Sequence, residues 1–457
     1  MSTIAAISTA TGNGGIGIIR MSGKNSFEIL NKIFVPYSEK DSEIKGYSMK
    51  FGYIIDPRNS QKIDEVLVSY FVSPKSYTTE NMCEINSHGG IIVEKKILEL
   101  CLQNGAELAE PGEFTKRAFM NGRIDLAQAE SVIDLINSKS DNEAKASINQ
   151  LEGNLSKKIR AIREKLLDVM SDIEANIDYP EYDIEQITNL KIRAVLDEIK
   201  GDLIHLSHTF ENGKILKEGV KTIIIGKPNA GKSSLLNTIL NEERAIVSEY
   251  AGTTRDTIEE FVNINGIPLK LIDTAGIRKT DDKIEEIGVQ RALKLSEDAD
   301  LIIAIFDGSK ELDDEDLEIL NIIKDKKAII LLNKRDIGDI NLESNDILKK
   351  SCENIIKISA KTGDGIEDVY TKIAEMFKTN EISMNDGIII TNIRHKNQID
   401  KAVQSVNEAI QSNESGMPID IVSIPIKQIL NDLSAITGED VSEDIINEIF
   451  AKFCLGK

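Results

Sequence analysis

The chain has 457 residues, 41% of them hydrophobic, and 76 acidic against 55 basic side chains give it a formal net charge of −21. That length supports two or three domains with cores of their own, and the acidic balance means that any nucleic acid must be gripped locally by clustered Lys and Arg. No apolar run approaches the ~20 residues of a membrane span and the start "MSTIAAISTATGNGG" is not a signal peptide, so a cytoplasmic protein without membrane contact is expected.

From Met1 to about Met120, β-rich runs ("TIAAISTA", "IGIIRMSG", "DEVLVSYFV") alternate with Gly, Pro, Asn and Ser, and one helical stretch follows His88. This pattern predicts a compact α+β domain. "GNGGIG" (Gly12 to Gly17) fits G-x-G-x-x-G, but "IIRMSG" after it reads as strand and turn, which argues against a dinucleotide site.

From Leu126 to about Phe210 the period changes to 3.6 residues, as in "LAQAESVIDLINS" and "LSKKIRAIREKLLDVMSDIEANI", with an interruption near Pro180. Between about Gly219 and Phe377, apolar runs ("VKTIIIG", "LKLIDTAG", "DLIIAIFDG", "KAIILLNK", "NIIKISA") alternate with helical segments, the mark of a mostly parallel sheet covered on both faces. After Lys378 the helical pattern returns ("NQIDKAVQSVNEAIQ", "IPIKQILNDLSAI", "SEDIINEIFAKF"). The α/β unit therefore reads as an insertion between two parts of one helical domain.

"GKPNAGKS" (Gly226 to Ser233) fits G-x-x-x-x-G-K-[ST] between a strand and a helix. Its backbone N–H groups can face a β-phosphate at the helix N-terminus, Lys232 adds a positive charge for the β- and γ-phosphates, and Ser233 offers a hydroxyl to Mg²⁺. "DTAG" places Asp273, Thr274, Ala275 and Gly276 where a carboxylate can hold the Mg²⁺ water shell and an N–H can sense a γ-phosphate. "GTTRD" lies between loop and strand, and Thr254 is the favoured switch threonine for Mg²⁺. "NKRD" supplies Asn333, Lys334 and Asp336; the aspartate can accept both guanine N1–H and N2–H₂, and adenine would leave it unpaired. "SAK" (Ser359, Ala360, Lys361) completes the base pocket.

Ile277 follows "DTAG", where a Ras-like GTPase has a water-orienting glutamine, so water and extra positive charge must be handled elsewhere. Asn229 can help hold a monovalent cation near the β-γ bridge, or it is a plain turn asparagine. In "DDKIEEIG", Glu285 is a candidate to orient water; Glu286 and a solvated acidic face remain open on spacing alone.

Taken together, "GGIGIIRMSG", "CEINSHGG", "PGEFTKRAFMNGRIDLAQAE", "GKPNAGKSSLLN", "AGTTRDTIEE", "TNIRH" and "FCLGK" resemble, in order and over the full length, the tRNA modification GTPase family MnmE (TrmE). The resemblance implies an N-terminal α+β folate-binding and dimerisation domain (1–120) and an all-α helical domain in two parts (121–215 and 379–457). Between those parts it implies an inserted Ras-like α/β G domain (216–378).

The resemblance also implies a homodimer that works with the FAD-dependent MnmG (GidA) in a heterotetrameric complex. The pair would install an aminomethyl or carboxymethylaminomethyl group at C5 of the wobble uridine of certain tRNAs, with 5-formyl- or 5,10-methylene-tetrahydrofolate as one-carbon source. By position, Arg20, Glu84, Arg123 and Lys457 resemble the folate contacts, with Arg123 where lysine is also common. The K⁺ ligands would be Asn229, Ser248, Tyr250 and Thr253, with Ser248 and Tyr250 acting mainly through carbonyls. Mg²⁺ would take Ser233 and Thr254, and Glu285 resembles the catalytic glutamate. GTP would meet Asn229, Ala230, Gly231, Lys232, Ser233 and Ser234, then Ser248, Thr253, Thr254 and the "DTAG", "NKRD" and "SAK" residues above. A ribosome-assembly GTPase switch is the alternative from another class, and a nucleotide-dependent scaffold is a third.

Cys83, Cys101, Cys352 and Cys454 include no C-x-x-C pair, which fits a reducing compartment and disfavours zinc or a disulfide framework. The tail "FCLGK" makes a poor lipidation box, because Gly456 occupies an aliphatic position and Lys457 is an unusual last residue. A frayed end is the plainer alternative, yet the amphipathic "SEDIINEIFAKF" would dock the tail. The resemblance puts Cys454, as nucleophile, acid or structural thiol, near folate and uridine.

Overall fold

The computed structural model describes residues 1–10, 12–38, 46–178, 185–241, 260–272, 295–338, 346–377 and 387–457. The described residues divide into two compact units, one of Met1–Ile133, Gln150–Thr188 and Gly416–Lys457, the other of Asp134–Asn149 and Asn189–Ser415.

The first unit is built on a sheet of β1 (Ile4–Ile7), β2 (Gly17–Ser22), β3 (Phe34–Pro36), β4 (Ser48–Asp56), β5 (Gln61–Phe71), β6 (Met82–Ser87) and β7 (Glu107–Leu108). Their order across the sheet is β3-β4-β5-β6-β2-β1-β7, antiparallel except where β7 joins β1. Strand alternation decides what faces where. Ile19, Met21, Cys83 and Ile85 point to a core closed by the helices Ser26–Ile33 and Ile91–Gln103, and Arg20 and Glu84, paired across β2 and β6, are on the opposite face. Each fully buried Ile or Leu under those helices contributes about 1.5–3 kcal/mol.

Sequence reading expected one helix before Met120, after His88, whereas Ser26–Ile33 and Glu113–Met120 are helical too. Eight residues hold barely two turns, too few for the 3.6 period to stand out. "GNGGIG" leads into β2 and not into a helix, in line with its rejection as a dinucleotide motif.

Long helices complete this unit. Asn154–Asp178 sets Ile159, Ile162, Leu166, Val169 and Ile173 along one buried stripe, and Ile419–Thr437 buries Val422, Ile426, Ile429, Leu433 and Ile436. The helical pattern quoted from Ile424 starts late, since Ile419–Thr437 begins more than a turn earlier and holds Pro425 inside. The last helix, Glu443–Ala451, buries Phe450, which with Phe453 packs against Ala118, Ile124, Leu126 and Ala129.

In the second unit, β8 (Val220–Ile225), β9 (Glu260–Ile264), β10 (Ile267–Leu271), β11 (Leu301–Asp307), β12 (Ala328–Asn333) and β13 (Ile355–Lys357) form a sheet in the order β13-β12-β11-β8-β10-β9. All pairings are parallel except the β9–β10 edge hairpin, which sequence reading missed. Helices bury both faces, which explains runs such as Ile302 to Phe306 with no polar alternation. β8 has β11 on one side and β10 on the other, so the chain leaves β8 at the point where strand order reverses, the place where open α/β sheets bind ligands. The sheet follows the helix Glu185–Glu218 and precedes the helix Ile393–Glu414 in the chain. Among the described residues, no helix is long and apolar enough to cross a membrane.

Candidate functional site

In the second unit, the loop after β8 carries Asn229 in the left-handed region (φ +60°), a conformation that asparagine tolerates better than most residues. Asn229 is exposed, and its backbone serves the turn that one reading assigned to it. Lys232 opens the helix Lys232–Asn241 and folds back over the loop, donating to the carbonyl oxygens of Gly226 and Lys227 at 2.7 Å each. Ser233 and Ser234 follow in the same first turn.

The "NKRD" segment is tied to this loop by Asn333. Its Nδ2 donates to Ala230 O at 2.7 Å, and its Oδ1 accepts from the Ala360 N–H at 2.9 Å. Gly231 makes room for it, since a Cβ there would lie 2.1 Å from that Nδ2. Lys334, left-handed at φ +70°, reaches Asp307 at 2.7 Å. Burial alone would raise Asp307, but hydrogen bonds from Lys334 and Ser309 outweigh it and hold the carboxyl below its ordinary value. Asp336 is exposed, with Oδ1 accepting from Ser359 Oγ at 2.8 Å, and Lys361 is exposed beside it in sequence to buried Ser359 and Ala360. Loop, "NKRD" and "SAK" therefore meet at the C-terminal ends of β8, β12 and β13. Ser248, Tyr250, Thr253, Thr254, Asp273, Thr274, Ala275, Gly276 and Glu285 lie outside the described residues.

The first unit assembles a second cluster. Arg20 and Glu84 meet side by side, with Nε and Nη2 of the arginine 2.9 and 2.8 Å from Glu84 Oε1. The guanidinium also donates through Nη1 to Gly456 O at 3.2 Å and lies over the rings of Tyr77 and Phe114. The tail is seated by three further bonds. Ser8 Oγ donates to Gly456 O (3.0 Å), the Gly112 N–H to Cys454 O (3.4 Å) and the Phe114 N–H to Lys457 O (3.1 Å).

Two glycines permit that seat. Gly456 is left-handed (φ +86°) and its backbone presses on Ile7, while Gly112 (φ +70°) opens the helix Glu113–Met120 against Phe450 and Phe453. The helix is held by Arg117, which is 4% exposed and bonds Glu80, Glu113 and the Ser2 carbonyl.

Arg123 also stacks on Tyr77, 4.8 Å from the ring centroid. Burial, and then the charge of Arg20, hold the Lys457 ammonium below its ordinary pKa, with Glu84 and Cys454 pulling the other way. Cys454 is exposed, whereas Cys83 and Cys101 are core residues and Cys352 is half-buried. Arg20, Glu84, Arg123, Lys457 and Cys454 thus share one neighbourhood. Sequence reading missed Ser8, Tyr77, Gly112 and Phe114 there; Tyr77 and Gly112 stand in "SYTTE" and "PGEF", just outside or inside quoted motifs, with nothing local to mark them.

The chain matches a family model described as GTP-binding protein TrmE N-terminus over residues 3–123 and one described as MnmE helical domain over residues 126–454. The tRNA modification GTPase MnmE of Acetivibrio thermocellus is 51% identical over 460 residues, covering 100% of this chain and 99% of the relative. Its counterpart in Clostridioides difficile is 51% identical over 457 residues with the same coverage. Among solved structures, a variant of Aquifex aeolicus Era bound to GDP.AlF4- is 27% identical, covers 41% of this chain and 66% of its own, and has a TM-score of 0.27.

Proposed function

Because this chain belongs to the MnmE (TrmE) family of tRNA modification GTPases, GTP-binding hydrolases that act on tRNA, we propose that it completes the modification of wobble uridine at C5. In this reading the chain works as a homodimer with the flavoprotein MnmG and adds an aminomethyl or carboxymethylaminomethyl group. A formyl- or methylene-tetrahydrofolate supplies the one-carbon unit. The four-part division at residues 120, 215 and 378 belongs to the same reading.

The observation that carries it is the coexistence of two unlike sites. A GTPase that only switches needs the loop, "NKRD" and "SAK"; it has no use for the Arg20–Glu84 pair joined to a docked Cys- and Lys-bearing tail. The donor set there fits folate. Arg20, Arg123 and Lys457 bring three positive charges around one paired carboxylate, suited to a ligand with carboxylates, and Glu84 can accept from ring N–H groups. Cys454, exposed beside this cluster, can act as nucleophile or proton donor toward the uridine.

At the other site Lys232 and the loop N–H groups hold the phosphates and Asp336 selects guanine. Ser233 and Thr254 would offer hydroxyls to Mg²⁺, Asn229, Ser248, Tyr250 and Thr253 would hold K⁺, and Glu285 would orient the attacking water. A bound monovalent cation would supply the positive charge that other GTPases take from an arginine. Asn229 fits because its exposed amide stands on the phosphate loop. The dimer reading is supported by the outer face of β3–β5, where Val35, Met49, Phe51 and Leu67 are exposed. Reconstitution with MnmG, tRNA, GTP and folate, read by mass spectrometry of the wobble nucleoside, tests the proposal; an unmodified uridine in the complete mixture would refute it.

A further inference from the structure

The geometry points to Tyr77 as the positioning residue that holds the guanidinium groups of Arg20 and Arg123 together for an anionic ligand, an inference that rests on the folate reading above. Both guanidinium carbons lie over one ring, Arg20 at 5.6 Å and Arg123 at 4.8 Å from the Tyr77 centroid. A cation within about 6 Å of a ring face is attracted to it, so one ring shared by two cations offsets part of their mutual repulsion.

The two arginines depend on that ring unequally. Arg20 has Glu84, the Gly456 carbonyl and the Phe114 ring as further anchors. Arg123 is exposed, follows a left-handed glycine (Gly122, φ +72°), and its guanidinium forms no ion pair among the described residues. Its stack on Tyr77 is what fixes where the charge points.

The platform itself is rigid. Tyr77 Oη hydrogen-bonds Thr115 Oγ1 at 2.9 Å, and Thr115 is fully buried. The ring packs against two separate apolar clusters, one around Phe114 and the other around Phe450 and Phe453. Tyr77 thus links the sheet, the Glu113–Met120 helix and the segment that carries the tail, and its ring is shared by both cations.

The test uses the full chain and 5-formyltetrahydrofolate as probe, with calorimetric binding, thermal unfolding and GTP turnover measured for each variant. Tyr77→Phe keeps the face and should bind within about twofold of the parent, whereas Tyr77→Leu removes it and should bind about 10-fold more weakly with GTP turnover unchanged. In an Arg123→Met background the Leu effect should shrink to about threefold or less, because its main target is gone.

An equal loss in both backgrounds, or Tyr77→Phe as weak as Tyr77→Leu, would overturn the inference. If Tyr77→Leu does not fold, Tyr77→Met takes its place, and failure of both makes the ring structural and also overturns it. Arg20→Gln is the separate control: undiminished binding there would overturn the folate reading itself, while a loss there with intact Tyr77→Leu binding would sink only the role of Tyr77.

Discussion

Gly456→Ala should undock the tail while leaving GTP hydrolysis alone. At φ +86° a non-glycine residue costs about 1–2 kcal/mol, and the new Cβ would lie 2.4 Å from Ile7 O and 2.8 Å from Ser8 Cα. Both contacts are backbone atoms of β1 and the residue after it, so neither can rotate away. Against this stand three neutral hydrogen bonds at about 1 kcal/mol each and one from the Arg20 guanidinium at about 1.5–3 kcal/mol. Ordering the backbone of the four residues after Phe453 costs about 4–8 kcal/mol, so the docked tail is close to balance before any ligand binds.

Strain of 1–2 kcal/mol plus the steric conflict therefore tips the tail out. Lys457 then leaves the cluster, and the loss of one charge-assisted contact predicts about 10- to 100-fold weaker folate binding. Calorimetry with 5-formyltetrahydrofolate reads the affinity, and GTP turnover on the same preparation is the internal control. Binding within twofold of the parent, in a preparation where Arg20→Gln is impaired, would refute the claim that a docked tail helps hold the ligand.

Hydrolysis should be faster in K⁺ than in matched Na⁺ buffer, because Ile277 replaces a water-orienting glutamine; equal rates would count against a cation at Asn229. Asp336→Asn should weaken GTP and improve xanthosine triphosphate binding, since an amide cannot accept both guanine donors, and an unchanged preference would contradict the base assignment. Cys454→Ser should keep GTP turnover near normal yet impair wobble modification in the reconstituted mixture; full modification would reduce the thiol to a structural group. Burial pushes Glu143 up from 4.5 to about 7, against the Lys139 N–H and the Lys139 and Lys217 charges, so the folded chain binds more protons than the unfolded one between those pH values. Stability should therefore fall by about 3 kcal/mol as pH rises through that window, and Glu143→Gln should flatten the fall in denaturant titrations; an undiminished slope would rule Glu143 out as its source.

The nucleotide motifs were legible as motifs because the chemistry they imply is local. Phosphate demands donors and guanine an acceptor, each on one loop, and a loop of four to eight residues is readable as a string. The strands β8, β11 and β12 were equally plain, since a strand buried on both faces carries an unbroken apolar run. β4 was missed because Gly52 interrupts its alternation; that glycine is required by the close approach of Phe34 and Val35, with a Cβ there only 2.3 Å from Val35 O, a contact with another strand that no local pattern encodes. The tail seat lay further out of reach. Ser8 and Gly456 are 448 positions apart, and only the family resemblance, not the spacing, put Arg20, Glu84, Arg123 and Lys457 in one set.

Asn333 shows how a motif residue can also brace the loops around it. As the first residue of "NKRD" it is expected at the base pocket; it is 3% exposed, and its amide is committed on one side to Ala230 O and on the other to the Ala360 N–H. A side chain held at both ends in this way is a strut between the phosphate loop and the "SAK" loop, and Gly231 is small so that the strut can pass. Asp336, the residue proposed to choose the base, is exposed and is itself steadied by buried Ser359. The loop after β8, "NKRD" and "SAK" are thereby one mechanical piece. Arg20 does the equivalent in the other unit, bonding β6 through Glu84 and the tail through Gly456, so in both sites a single polar side chain on a strand joins segments that are distant in sequence.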